Sequence, residues 1–220
     1  GASCWNDAVH SDRRWFEQFK PDERQSEEML KLGFTVVQSL GQDGIFQGES
    51  FVTLLGEGLP NDLILHELWR QGLSFDKGRS QQQYPTSLMG TIALIRQIFY
   101  DAEWYGKARE AYRQNPNQEH LEFNAALSNL TLYGITPFVF DGGDDLYSLN
   151  RFDRIAREFG LNYVAVGSGK EYQRLDDIAA LKRSLIIPLD FPETPSVETM
   201  EDRLDVTLAQ LRHWEMAPTN

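Results

Sequence analysis

The residues able to do chemistry collect at the ends of short apolar runs. Gly167-Ser168-Gly169 closes the run at 162–166 and precedes a helical stretch starting near Glu171. Backbone amides in such a turn can bind an anion, and the same residues also make an ordinary tight strand-to-helix turn. Tyr172 breaks the longer G-x-G-x-x-G pattern. Lys170 and Glu171 follow directly and are, with Asp190, the candidates for a catalytic role. Asp190 follows the apolar run 185–189, at the kind of strand end where parallel-sheet active sites gather. It also reads as a turn aspartate before Pro192. Tyr84-Pro85-Thr86-Ser87 opens a helix, so Tyr84 and Ser87 are candidates for holding a carboxylate or phosphate, with Thr86 or Ser87 as its N-cap. Asp141, Asp144 and Asp145 form an acidic loop that reads as a solvated turn or as oxygen ligands for Mg²⁺ or Ca²⁺.

Other chemistries are disfavoured. The four histidines, His10, His66, His120 and His213, are scattered with no H-x-H or H-E-x-x-H spacing, so no metal site is assigned to this chain. One cysteine, Cys4, allows no internal disulfide and has no evident base partner. The 220 residues carry 21 Lys+Arg and 33 Asp+Glu, a net charge of −12. That charge repels nucleic acid and anionic lipid. No apolar run nears the about 18 residues of a membrane helix, so no membrane insertion is expected. Gly1-Ala2-Ser3-Cys4-Trp5 lacks the basic-then-apolar pattern of a leader, and a free cysteine fits cytoplasm and periplasm alike.

The elements that must position these groups alternate. A helix begins at Pro21-Asp22-Glu23 and stops at Gly33; strands follow at 34–37, read as buried, and at 51–55. Residues 56–84, rich in Gly and Gln, read as a long loop excursion with a short helix near 62–69. Leu88, Ile92, Ile95, Ile98, Phe99 and Ala102 recur at helical spacing, predicting a long helix to about Tyr112. Further helices are predicted at 119–132, 152–159, 171–181 and 197–214, and strands at 137–140, 162–166 and 185–189. Arg96 and Asp101 are five apart, so each is expected to pair elsewhere. Near-continuous apolar strands between helices imply a parallel sheet in one α/β domain over 1–220.

Several segments in order resemble the metal-dependent amidohydrolase superfamily, nearest its bacterial imidazolonepropionase-like group. They are Leu32-Gly33-Phe34-Thr35-Val36-Val37, Ser74-Phe75-Asp76-Lys77-Gly78 and Tyr84-Pro85-Thr86-Ser87-Leu88-Met89-Gly90. Arg96-Gln97 with Asp101-Ala102 and Tyr105 follows, then Arg151-Phe152-Asp153-Arg154-Ile155, Glu171-Tyr172-Gln173-Arg174 and His213-Trp214-Glu215-Met216-Ala217-Pro218. The resemblance implies a partial (β/α)8 barrel, about five mostly parallel strands with outer helices, forming the central segment of a longer protein. It also implies hydrolysis of a C–N bond in a small, non-peptide amide, linear or cyclic.

The family pattern H-A-N-R-x-x-D-I falls on Ser148-Leu149-Asn150-Arg151-Phe152-Asp153-Arg154-Ile155, with Ser148 in place of histidine and Arg154 in place of aspartate. The pattern H-G-x-E falls on Ser168-Gly169-Lys170-Glu171, again with serine for histidine. Ser148, Arg151 and Ser168 thereby join Tyr84 and Ser87 as candidate substrate-binding residues. Serine is a poor zinc ligand beside imidazole. The resemblance therefore implies a divalent metal, zinc, for the longer protein only, and an isolated chain without turnover. The alternative is a binding or scaffold module with a degenerate metal site. A third reading is a flavodoxin-like domain holding an anion at 167–169. Open sheet edges imply pairing with a second copy, or cover from residues 56–84. Members of the family are often exported.

Overall fold

The computed structural model describes residues 4–117, 120–143, 145 and 147–188. Helix α1 (Glu23–Lys31) starts where Asp22 accepts the Gln25 N–H, and Gly33, at φ +93°, lets the chain turn out of it. Strands β1 (Val36–Ser39) and β2 (Phe46–Glu49) follow, then β3 (Phe51–Leu54), the short helix α2 (Pro60–Leu63), β4 (Ile64–His66) and β5 (Gln71–Ser74). Helix α3 (Leu88–Gln114) is the longest, and α4 (Ala125–Leu130) and β6 (Pro137–Asp141) come next. Helix α5 (Ser148–Phe159), β7 (Asn162–Val166), a 3₁₀ turn at Glu171–Arg174, α6 (Leu175–Leu181) and β8 (Leu185–Ile186) complete the described chain.

Two sheets result. One is antiparallel, in the order β1-β3-β4. The other runs β2-β5-β6-β7-β8, with β2 antiparallel to β5 and the remaining four strands parallel. The register aligns Leu73, Phe140 and Ala165 across three strands, all essentially buried. Alternation puts the next row, Ser74, Asp141 and Val166, on the opposite face. The buried row joins one apolar cluster with Leu94, Ile98 and Phe99 of α3, Leu130 of α4, and Phe152 and Ile155 of α5. Helices therefore cover one face and strand-end polar groups lie on the other. This is a mixed α/β fold of partial TIM type, with outer helices.

Three expectations need correction. Residues 56–84 are not a loop excursion: they supply α2, β4 and β5. Strand β5 lies inside the sheet, between β2 and β6, so this stretch builds the sheet rather than shielding its edge. The strand near 34–37 starts at Val36 in the antiparallel sheet, and Val36 is exposed, so it is no core strand. The helix expected over 119–132 is confined to Ala125–Leu130, capped by Asn124. The predicted helix at 197–214 lies outside the described residues.

A buried polar network ties α5 to β7. Asp153, 3% exposed, accepts from Arg157 Nε, from the Tyr163 hydroxyl at 3.1 Å and from Arg183 Nε at 3.3 Å. Burial, then the Asp153 charge, pushes the Tyr163 hydroxyl far above its ordinary value of 10.0. A folded value raised above the unfolded one contributes stability that is full below pH 10.0 and lost as pH rises toward the folded value. Tyr163→Phe is therefore expected to flatten the alkaline decline in denaturant midpoint relative to wild type. An unchanged decline would place its origin elsewhere.

Candidate functional site

The C-terminal ends of β5, β6 and β7 lie side by side, since the three strands are parallel neighbours. Each end carries one polar cluster. The candidates Tyr84, Ser87, Ser148, Arg151, Ser168, Lys170 and Glu171 divide among these three, and Asp190 lies outside the described residues.

At the β6 end, Asp145 is the hub. It accepts from the Tyr147 N–H at 3.0 Å, the Ser148 hydroxyl at 3.2 Å and the Arg151 guanidinium. The Tyr147 N–H first, and Arg151 after it, hold its carboxyl below the usual aspartate range. Asp141 accepts from the Gly143 N–H at 2.9 Å, a turn bond. Asp144, the third residue of the acidic loop, is outside the described residues. Ser148 is 3% exposed. Its hydroxyl thus works as a buried partner of Asp145.

At the β7 end, Glu171 folds back over its own turn. Its carboxylate accepts from the Ser168 and Gly169 N–H groups and from the Ser168 hydroxyl at 3.0 Å. A Cβ on Gly167 would sit 3.1 Å from that carboxylate, so glycine there admits the close approach. The anion cradle read from the sequence is real, and the protein's own carboxylate occupies it. Glu171→Ala is expected to free these amides and create sulfate binding absent from wild type, readable by calorimetry. Equal sulfate binding by both proteins would show that Glu171 does not fill the cradle.

The two clusters meet at Tyr147. The Arg174 guanidinium lies 4.2 Å from its ring centroid and the Arg151 guanidinium 5.4 Å. Tyr147, Arg174 and Asp145 as hub were not singled out in the sequence. The arginine in Glu171-Tyr172-Gln173-Arg174 was the available signal.

At the β5 end, a cleft of about 420 Å³ is lined by Phe75, Asp76, Lys77, Pro85, Thr86, Ser87, Leu88 and Thr91. Ser87 caps α3, accepting the Gly90 N–H at 3.2 Å. Tyr84 donates to the Gly90 carbonyl at 3.1 Å and stacks on Trp5. Phe75 joins this end to the β6 side by packing on Phe140 and Phe152. Arg96, on the outer helix layer, pairs with Glu158 of α5 at 2.7 Å.

Zinc chemistry finds a poor donor set here. Among the described residues no three His, Cys, Asp or Glu converge on a common point. Ser148 and Ser168 stand at the β6 and β7 ends, where the resemblance led to an expectation of imidazoles, and Asp145 and Glu171 are committed to N–H, hydroxyl and guanidinium donors. The described strand ends do not fit a zinc centre. His66 stacks on Trp69 at 4.7 Å and His120 meets Tyr112 edge-on, and both are exposed.

Fold and strand-end polar clusters together define an α/β protein of partial TIM type. No protein-family model and no curated protein matches the chain. A crystal structure of an amidohydrolase from Thermotoga maritima matches with a TM-score of 0.72 and 21% identity, over 94% of this chain and 56% of that one. At that identity the likeness shows an amidohydrolase-like fold. The chain spans just over half the length of that structural neighbour.

Proposed function

We propose that this chain is the substrate-recognising section of an amidohydrolase-like hydrolase acting on a C–N bond of a small amide, linear or cyclic. The observation that supports it is the row of three polar clusters at adjacent strand ends, where barrel enzymes place their sites. In this reading Arg151 donates to a substrate oxygen while Asp145 and Tyr147 fix its direction. Arg174 also lies over the Tyr147 ring and helps hold it. The zinc and imidazolonepropionase-like chemistry belongs, if the longer protein has it, to residues outside those described. The isolated chain then binds amide without turnover.

A second reading, a non-catalytic binding or scaffold module, is favoured by one observation. Both serines at imidazole positions give their hydroxyls to neighbouring carboxylates, Asp145 and Glu171. The test is turnover of a panel of N-acyl amides and lactams by this chain and by a longer natural protein containing it, with metal content measured on both. Turnover by the longer protein, with Arg151→Ala raising KM about tenfold at little changed kcat, supports the hydrolase. Amide binding without metal or turnover in either protein supports the module.

A further inference from the structure

We propose that Glu49, Gln71 and Asn129 form a site for a monovalent cation, sodium or potassium, at the end of the sheet opposite the strand-end row. Gln71 opens β5, whereas that row lies where β5 closes at Ser74. The inference does not rest on the proposed hydrolase role, and it is measured without turnover.

The site is built around one carbonyl. Residues 9–14 run parallel to β2, bridged to it at Val9↔Phe46 and Arg14↔Glu49. Among them Ser11 is fully buried, and its hydroxyl ties it to α4 by donating to the Ala126 carbonyl at 2.8 Å. The Ser11 carbonyl accepts from Gln71 Nε2 at 2.9 Å and from Asn129 Nδ2 at 3.1 Å. Those two donors fill both its lone pairs. They also fix which way each amide lies. A carbonyl only accepts, so both amino groups face Ser11 and both amide oxygens face elsewhere.

What remains is all acceptor. Gln71 is 1% exposed, and its Oε1 is buried without a hydrogen-bond partner among the described residues. Such an orphan costs free energy unless something meets it. Glu49 stands opposite Gln71 across the β2–β5 ladder, where paired side chains share a face. Glu49 is half-buried, and Arg14 is the one charge that acts on its carboxyl. The Arg14 guanidinium itself lies 3.9 Å from Glu17. Strand β5 and helix α4 carry no charged residue.

Carboxylate and amide oxygens with no N–H or O–H to offer suit a hard cation. One carboxylate and two neutral amide oxygens balance a single positive charge. A divalent ion would leave excess charge beside Arg14. The competing occupant is a proton, since burial pushes the Glu49 carboxyl up against the opposing pull of Arg14. A neutral Glu49 could itself donate to the Gln71 oxygen.

The experiment compares thermal unfolding of the full chain in sodium, potassium and tetramethylammonium chloride of equal ionic strength. It is run at mildly alkaline pH, which favours the ionised Glu49. Tetramethylammonium carries the same charge but its methyl groups keep oxygens away from it. Sodium or potassium is expected to raise the midpoint by about 2–4 °C over tetramethylammonium, saturably, and the better of the two identifies the ion. Glu49→Gln should erase the difference, and Asn129→Ala should reduce it. Should Glu49→Gln fold poorly, Asn129→Ala decides alone. Equal midpoints in all three salts overturn the proposal, as does a difference indifferent to these substitutions. A midpoint that rises toward acid pH regardless of salt, and loses that rise in Glu49→Gln, puts a proton there instead.

Discussion

Phe140→Ala is expected to lower stability by about 3–5 kcal/mol, read as a drop in urea midpoint with unchanged slope. Phe140 is fully buried on the central strand β6. Its ring stacks on Phe152 of α5 at 3.9 Å and meets Phe75 edge-on at 5.0 Å. Truncation therefore removes one wall from two neighbours on different elements, a site with little room to collapse. Phe140→Leu, which keeps most of the volume, should lose well under half as much. A loss for Phe140→Ala within about 1 kcal/mol would mean that the core repacks around the gap. The strand-end row depends on the same ring, because Phe75 immediately precedes Asp76 and Lys77.

Gly48→Ala is expected to cost about 3 kcal/mol, for two reasons that act together. Gly48 has φ +90°, where an L side chain is strained. A Cβ there would also approach the Arg13 carbonyl oxygen to 2.5 Å, a backbone atom that cannot swing away. That carbonyl accepts the Glu49 N–H at 2.8 Å, so moving it breaks the bridge holding residues 13–14 to β2. Gly134→Ala is the control, since nothing lies within 4 Å of its Cβ position. It should change the thermal midpoint little, within about 0.5 kcal/mol. Equal effects of the two substitutions would sink the account.

The legible parts of this chain were those with strong local periodicity. Helix α3 and its Ser87 cap, α5 from Phe152 to its Gly160 stop at φ +65° though not its first turn at 148–151, and the apolar strands β6 and β7 could be read directly. Strand β5 could not. Gln71-Gly72-Leu73-Ser74 carries one large apolar residue, and its place in the sheet is fixed by partners on both sides rather than by its own composition. A Cβ at Gly72 would crowd Leu40 and Gln47, so what looked like flexible glycine is a packing requirement. Strand β2 hid for the same reason, with a glycine at its bulge.

The candidate site was half legible. The turn at Gly167-Ser168-Gly169 was seen, but not its occupant. Ser168-Gly169-Lys170-Glu171 is the S-x-x-E spacing in which a glutamate reaches back to the serine N–H. That local rule predicts a self-filled turn. The motif Glu171-Tyr172-Gln173-Arg174 pointed to Arg174 but not to its partner Tyr147, because that contact joins loops after different strands and depends on the sheet's order. The amidohydrolase-like fold was carried by the order of motifs, none of which is specific alone.

The antiparallel strand β2 gives the second sheet a direction of growth. It pairs with β5 through Phe46↔Leu73 and Gly48↔Gly72, and its other border is already bridged by Val9 and Arg14 from the start of the chain. From β5 through β6 and β7 to β8, spatial order repeats chain order. Each strand leaving a ribosome therefore finds its template already laid down beside it. None has to wait for a later segment or thread between finished neighbours. Assembly from β5 onward is an accretion at one advancing margin, and a stall during synthesis would leave an ordered, shorter version of the same sheet rather than a scrambled one.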